Sequence, residues 1–232
     1  MNIQTATEMP VSIKGKVIHD VLTSLEDLDR LQPSLTLLDH PELPHNWQHL
    51  LKDCYQCGEQ QAQQDIALTA LPNQLVQAST LWLQGFGVLC AAAGRMAALD
   101  QPLTCNRLCD LASQLCIDLP AIDSEARGGF YTIRSVALPA WRRLLRDRHS
   151  SDVCIQQTLL HLLAWKSDVP GVRQQAQRLL WMGGVLGEKG ITALLTLDNE
   201  LSAQQFSWAK LWALLAITGF LARYPAGPIF VD

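Results

Sequence analysis

The sequence is short of charge, of alternating strand patterns and of lipid-length runs, and each shortage excludes something. Charged residues are only 17% of the 232 and hydrophobic residues are 48%, so disorder is excluded as the main state and a large core can be buried. The net charge of -4, from 18 basic and 22 acidic residues, leaves no electrostatic footprint for nucleic acid. The longest apolar run, LWALLAITGFLA over Leu211 to Ala222, falls well below the roughly 20 residues that span a bilayer. The opening MNIQTATEMP has neither the basic cap nor the apolar stretch of a secretory leader. Seven cysteines, an odd number, suit reduced thiols better than a disulfide framework. The expectation is a cytoplasmic protein with no membrane and no nucleic-acid partner. GxxxxGK[ST], GxGxxG and GxSxG are also missing, so phosphate-loop, dinucleotide-fold and nucleophile-elbow readings lack their first requirement.

What is present is helical spacing almost throughout. The pattern predicts an all-α, single compact multi-helix bundle over residues 1–232, with a loosely ordered N-terminal segment (about 1–15) and a short C-terminal tail (about 225–232). Helices are expected over 16–31, ending near Pro33; over 46–70, after a loop with Pro41 and Pro44; and over 73–99 as one long buried helix. Its Gly85, Gly87 and Gly94 would let neighbouring backbones come close. Thr104 is placed to cap a helix over 105–116, and 118–129 reads as a connector. Pro139 fits the first residue of a helix to about Arg148. Further helices are expected at 152–165, 172–182, a short one at 191–200, and 207–224.

Three constellations could carry chemistry. His45, His49, Cys54 and Cys57 crowd one stretch, with His45 and His49 on one helix face. However, Cys54 comes about half a turn away from His45 on a continuous helix, so a solvated helix with half-buried cysteines is the better reading and no metal is assigned. Cys105 and Cys109 lie one turn apart, without the spacing of a zinc ribbon. His161, inside an apolar helix, reads as a satisfied interior histidine rather than a base. Arg142, Arg143 and Arg146, with Arg134 upstream, could hold phosphates or carboxylates or form a solvated face.

At this point SEARGGFYTIRSVALPAWRRLL, starting at Ser124, becomes informative. It resembles the RGEAxxGFPTVRxxxLPxLR segment of the triphosphoribosyl-dephospho-CoA synthase family, which serves prosthetic-group synthesis for citrate lyase and malonate decarboxylase. GFGVLCAAAGRM is similar to SLGLLCAAAGRL, QTLLHLLAWKSDV to TLLHLMAxxxDTNV, and SWAKLWALLAITGFLA to SPGGSADLLALTYFLA, all in the same order. A weaker likeness joins EDLDRLQPSLT to EVxLTPKPGLV. The resemblance implies an all-helical fold and a transferase that joins the ribose of ATP to 3'-dephospho-CoA with release of adenine. Such a site needs carboxylates near the developing ribose cation, and cations or Mg²⁺ for the triphosphate.

The chain departs from that pattern in five places. KPG falls on Gln32, Pro33 and Ser34; NTHKG on Gln77, Ala78, Ser79, Thr80 and Leu81; RGE on Asp123, Ser124 and Glu125. DTNVLxRGG shortens to Asp168, Val169, Pro170 and Gly171, and SPGGSAD becomes Ser207 to Ala213, with Trp208, Lys210 and Trp212 in place of small residues. Read through the resemblance, this is a divergent member with eroded motifs. It would be non-catalytic for the family reaction and act as a binding or accessory protein near acyl-carrier prosthetic-group synthesis, with a protein partner in a citrate lyase or malonate decarboxylase system. The alternative is an active transferase using ATP, Mg²⁺ and 3'-dephospho-CoA. In it Glu125 and Asp168, with Asp123, are the surviving carboxylates, and Arg134, Arg142 and Arg143 take the phosphates.

Overall fold

Apolar residues at helical spacing produce eleven helices and no strand among the described residues of the computed structural model, which are 13–39, 43–64 and 71–224. They are α1 (Ile13–Leu31), α2 (Trp47–Gln63), α3 (Asn73–Val76), α4 (Leu81–Ala98), α5 (Cys105–Cys116), α6 (Ser124–Arg127), α7 (Leu138–Arg146), α8 (Ser151–Lys166), α9 (Pro170–Trp181), α10 (Gly190–Ala203) and α11 (Leu211–Arg223). The expected terminal segment before residue 13, Pro41, the end of the second helix beyond 64 and the tail after 224 lie outside the described residues. The all-α expectation holds.

The two most apolar helices, α4 and α11, are buried on nearly every side and form the centre. By length and composition α4 could cross a membrane, yet 83% of it is buried inside the protein. α2 lies in backbone contact with α4. A Cβ on Gly58 would come 1.9 Å from the Ala91 carbonyl oxygen, and one on Gly94 would come 2.1 Å from that of Tyr55. Edge-to-face rings, Trp47–Trp82 at 5.9 Å and Trp82–Trp212 at 6.1 Å, connect α2, α4 and α11; such pairs contribute about 0.5–1.5 kcal/mol each beyond their buried area. On the other side Arg223 of α11 pairs with Asp27 of α1, and Arg30 of α1 pairs with Asp27 at 3.0 Å and with Asp152 of α8.

Several expected boundaries move. The single helix over 73–99 is broken: α3 ends at Val76, and Thr80 is extended at φ -112°, ψ 132° before α4 begins. No proline or glycine marks that break in the sequence. At the break the Gln84 amide donates to the part-buried Ala78 carbonyl at 2.6 Å, giving it a partner that a continuous helix would have supplied. α2 starts at Trp47, whose N–H closes a turn onto the Pro44 carbonyl at 3.0 Å, so His45 precedes the helix and shares no helical face with His49. α10 is longer than expected, and α11 begins four residues later than expected. Thr104 caps α5 as expected, accepting from the Arg107 N–H.

Candidate functional site

The stretch from Asp123 to Arg134 is a reversal held by its own carboxylates. Asp123 Oδ1 accepts from the Glu125 N–H at 2.8 Å and opens the single turn of α6. Gly129 and Phe130 are then both left-handed, at φ 68° and 60°. Such a conformation is unusual and strained for a buried phenylalanine. It turns the chain so that Glu125 Oε1 accepts from the Thr132 N–H at 2.7 Å and the Ile133 N–H at 3.2 Å. Glu125 thus caps the helix that begins at Tyr131, satisfying two donors at its positive end.

That helix does not start at Pro139, as the sequence suggested, but runs through a π turn over Ile133–Ala137 into α7. Pro139 has no N–H for the carbonyl four residues earlier, and its ring crowds that carbonyl. The chain widens there instead, and the Leu138 N–H donates to the Ile133 carbonyl, five residues back.

Three of the five departing motif positions meet at one junction. Gln84 of α4, only 3% exposed, donates to Ala78 O at 2.6 Å and to Ala121 O at 3.0 Å, and its Oε1 accepts from the Asp123 N–H at 2.9 Å. It therefore fastens the Gln77–Thr80 loop to the loop before α6. From the third segment, Lys210 Nζ lies 2.8 Å from Asp123 Oδ2 and 3.1 Å from Oδ1. Trp212 lies behind this pair in the Trp47–Trp82–Trp212 ladder, and Trp208 is packed on the core.

The remaining candidates are distributed around this junction. Arg134 turns to α5, pairing with Asp110 at 2.6 Å and Asn106 at 3.3 Å. Asp168 is exposed at the α8–α9 turn; among the described residues no hydrogen bond or ion pair joins it to Glu125. Arg142 is half-buried. Arg143 instead lines an open groove of about 870 Å³ between α7, α8 and the turn after α9, together with Tyr131, His161, Trp165, Lys166 and Leu186. His161 is thus a groove residue rather than the interior one expected; burial, reinforced by the Arg143 charge, pushes its imidazole below the usual 6.5. Sequence reasoning missed Gln84. Its signal was a lone amide in the long apolar stretch of α4.

The cysteines offer no reactive group. All seven are free thiols and only Cys57 is not fully buried; burial pushes Cys90 up to about 12 and Cys154 up to about 11. Among the described residues no three His, Cys, Asp or Glu side chains gather as a metal site requires.

No family profile matches the chain, and no solved structure matches it. A Salmonella gallinarum protein named "probable 2-(5''-triphosphoribosyl)-3'-dephosphocoenzyme-A synthase" is 37% identical over 63% of this chain and 61% of its own length. The Klebsiella pneumoniae 2-(5''-triphosphoribosyl)-3'-dephosphocoenzyme-A synthase is 35% identical over 62% of this chain and 60% of its own length. The synthase of Escherichia fergusonii is 36% identical over 63% and 61%. The chain therefore spans about three fifths of the length of these relatives. Over the stretch it shares with them, this chain is similar to proteins named 2-(5''-triphosphoribosyl)-3'-dephosphocoenzyme-A synthase.

Proposed function

We propose that the chain is a transferase of this family, moving the triphosphoribosyl group of ATP to 3'-dephospho-CoA with release of adenine. The observation that carries this reading is its 35–37% identity to proteins bearing the synthase name. In the step, the bond between adenine and the ribose C1' breaks, the base leaves with the electron pair, and a hydroxyl of dephospho-CoA forms the new bond to C1' and gives up its proton. Positive charge grows on the ribose as the base departs, so a carboxylate beside it lowers the barrier.

Asp123 and Glu125 are the carboxylates of the junction, and Asp168 is the third candidate. Lys210, Arg134, Arg142 and Arg143 are the cations from which a triphosphate site would be drawn. With Asp123 on Lys210 and Glu125 on two backbone amides, substrate would have to displace the first pair. The described residues do not form a protein-built Mg²⁺ cage, so no part of this step is assigned to the ion. The free thiols support a cytoplasmic setting.

A second reading, a non-catalytic homologue acting as a binding or accessory protein beside a lyase or decarboxylase, is favoured by a different observation. Gln84, Lys210 and Trp212 hold closed the junction where the motif positions meet. Chromatographic measurement of adenine from ATP and 3'-dephospho-CoA with Mg²⁺, beside the Klebsiella enzyme, decides between them. Release at a comparable rate supports the transferase; none from a folded sample, with the control active, overturns it in favour of the accessory reading.

A further inference from the structure

The groove beside α7 and α8 shares Arg143 with the cations of the transferase reading but otherwise has a composition of its own. It follows α8 from Gln157 to Lys166, about 13 Å at 1.5 Å per residue. Its floor is apolar, with Val136, Leu144 and Leu180. Its walls carry ring surface that the fold leaves in solvent, Tyr131 and Trp165, the latter 54% exposed. The Lys166 ammonium lies 4.9 Å above the centre of the Tyr131 ring, a cation held by a π face rather than by a carboxylate.

The exposed apolar surface continues past the groove. Trp181 is 84% exposed and Met182 62% exposed, directly beside the lining residues Leu180 and Gly183. Of the eleven large hydrophobic residues exposed in the described chain, all but Leu99 and Ile117 lie between Tyr131 and Leu195. Scattered exposed hydrophobics need no explanation, but Tyr131, Trp165 and Leu186 line one groove together, and such a set does. Tryptophan, tyrosine, methionine and arginine are the residues enriched where proteins meet, and tryptophan, tyrosine and arginine dominate binding energy there.

Charge selects the partner. Arg143 and Lys166 face the groove against the single carboxylate of Asp147, so the local balance is positive on a chain whose net charge is -4. An acidic segment therefore matches the charge of this face.

We propose that this groove docks an acidic amphipathic segment of a partner protein, with its apolar side chains on Tyr131, Trp165 and Leu186 and its carboxylates on Arg143 and Lys166. The inference rests on neither functional reading, since a working transferase and a silent homologue could both carry such a surface. The test is selection of a random-peptide phage library on the full folded chain, followed by fluorescence anisotropy of a synthetic peptide carrying the consensus. The expected consensus combines aliphatic residues with Asp or Glu, and binding weakens by about tenfold or more in both Arg143→Glu and Trp165→Ala. Circular dichroism checks that each exposed-site variant is folded. A neutral or basic consensus, equal binding to the variants, or no enrichment overturns the proposal. So does a concentration-dependent dimer that Trp165→Ala abolishes, which would give the face to a second copy of the chain. Peptide binding is read without turnover, so adenine release and groove binding can fail independently.

Discussion

The junction around Gln84 and the groove beside α8 are built on opposite plans. At the junction the main polar groups are engaged: Gln84 makes three hydrogen bonds, Asp123 is held by Lys210, and Glu125 spans two amides. In the groove, rings and cations face solvent, and Arg143 and His161 sit close enough for one to depress the titration of the other. The junction gathers three of the positions that depart from the family pattern, whereas the groove is lined largely by the two stretches that keep it, from Tyr131 to Leu144 and from Gln157 to Lys166. Polar groups that satisfy each other stabilise a fold; polar and aromatic groups left facing water are available to something else.

Substitutions can break this contrast, and the largest effect is expected from Gln84→Leu. It leaves the Asp123 N–H and the carbonyls of Ala78 and Ala121 without their partner, so thermal or denaturant unfolding should show a loss of about 3 kcal/mol. A loss below about 0.5 kcal/mol would mean that the junction is not fastened by this residue. Glu125→Gln keeps the shape of the cap but removes its charge, and the same measurement should show about 1 kcal/mol. If adenine release is present and survives Glu125→Gln unchanged, the carboxylate is a structural cap and no more.

A smaller effect concerns pH. Because His161 binds protons less readily folded than unfolded, its contribution to stability is fully present above pH 6.5. That contribution falls away as pH drops from there through the lower folded value. Arg143 from α7, Asp147 just after it, Lys166 from α8 itself and Tyr131 are the charged or titratable groups that line the groove with it. His161→Gln should flatten the slope of unfolding free energy across that window, and an unchanged slope would assign it to another group. The smallest effect is expected for Trp181→Ser, whose side chain is mostly in water: stability should change by no more than about 0.5 kcal/mol. A loss comparable to that of Gln84→Leu would erase the distinction between the two regions.

Much of the fold was legible because buried helices repeat their apolar residues every three to four positions, and Thr104 announced the start of α5 by its cap. The likeness to the synthases was legible because the helix-packing stretches that carry it stand in order. What was not legible depended on contacts between distant residues. The break before α4 is bridged by a side-chain hydrogen bond in a segment with no helix breaker. Lys210 meets Asp123 across 87 residues. The capping bonds of Glu125 were not legible because nothing in the sequence shows that the left-handed Gly129 and Phe130 fold the following amides back onto it. His161 looked interior because its neighbours on α8 are apolar, while the opening beside it is created by the turn after α9.

The π turn at Ile133–Ala137 separates the two regions along a single helix: Arg134 points to α5 and Arg143 to the groove. One residue advances a regular helix by about 100°, so this widened turn sets the angular phase between the two arginines. A one-residue deletion within it would restore a regular ladder and keep both arginines on their faces, because the widened turn holds one residue more than an α turn; closing it to a regular ladder at full length would instead swing Arg143 away by about that angle. The segment is therefore a gearing between two faces, and through Ser135 and Val136 it also supplies part of the groove that it orients.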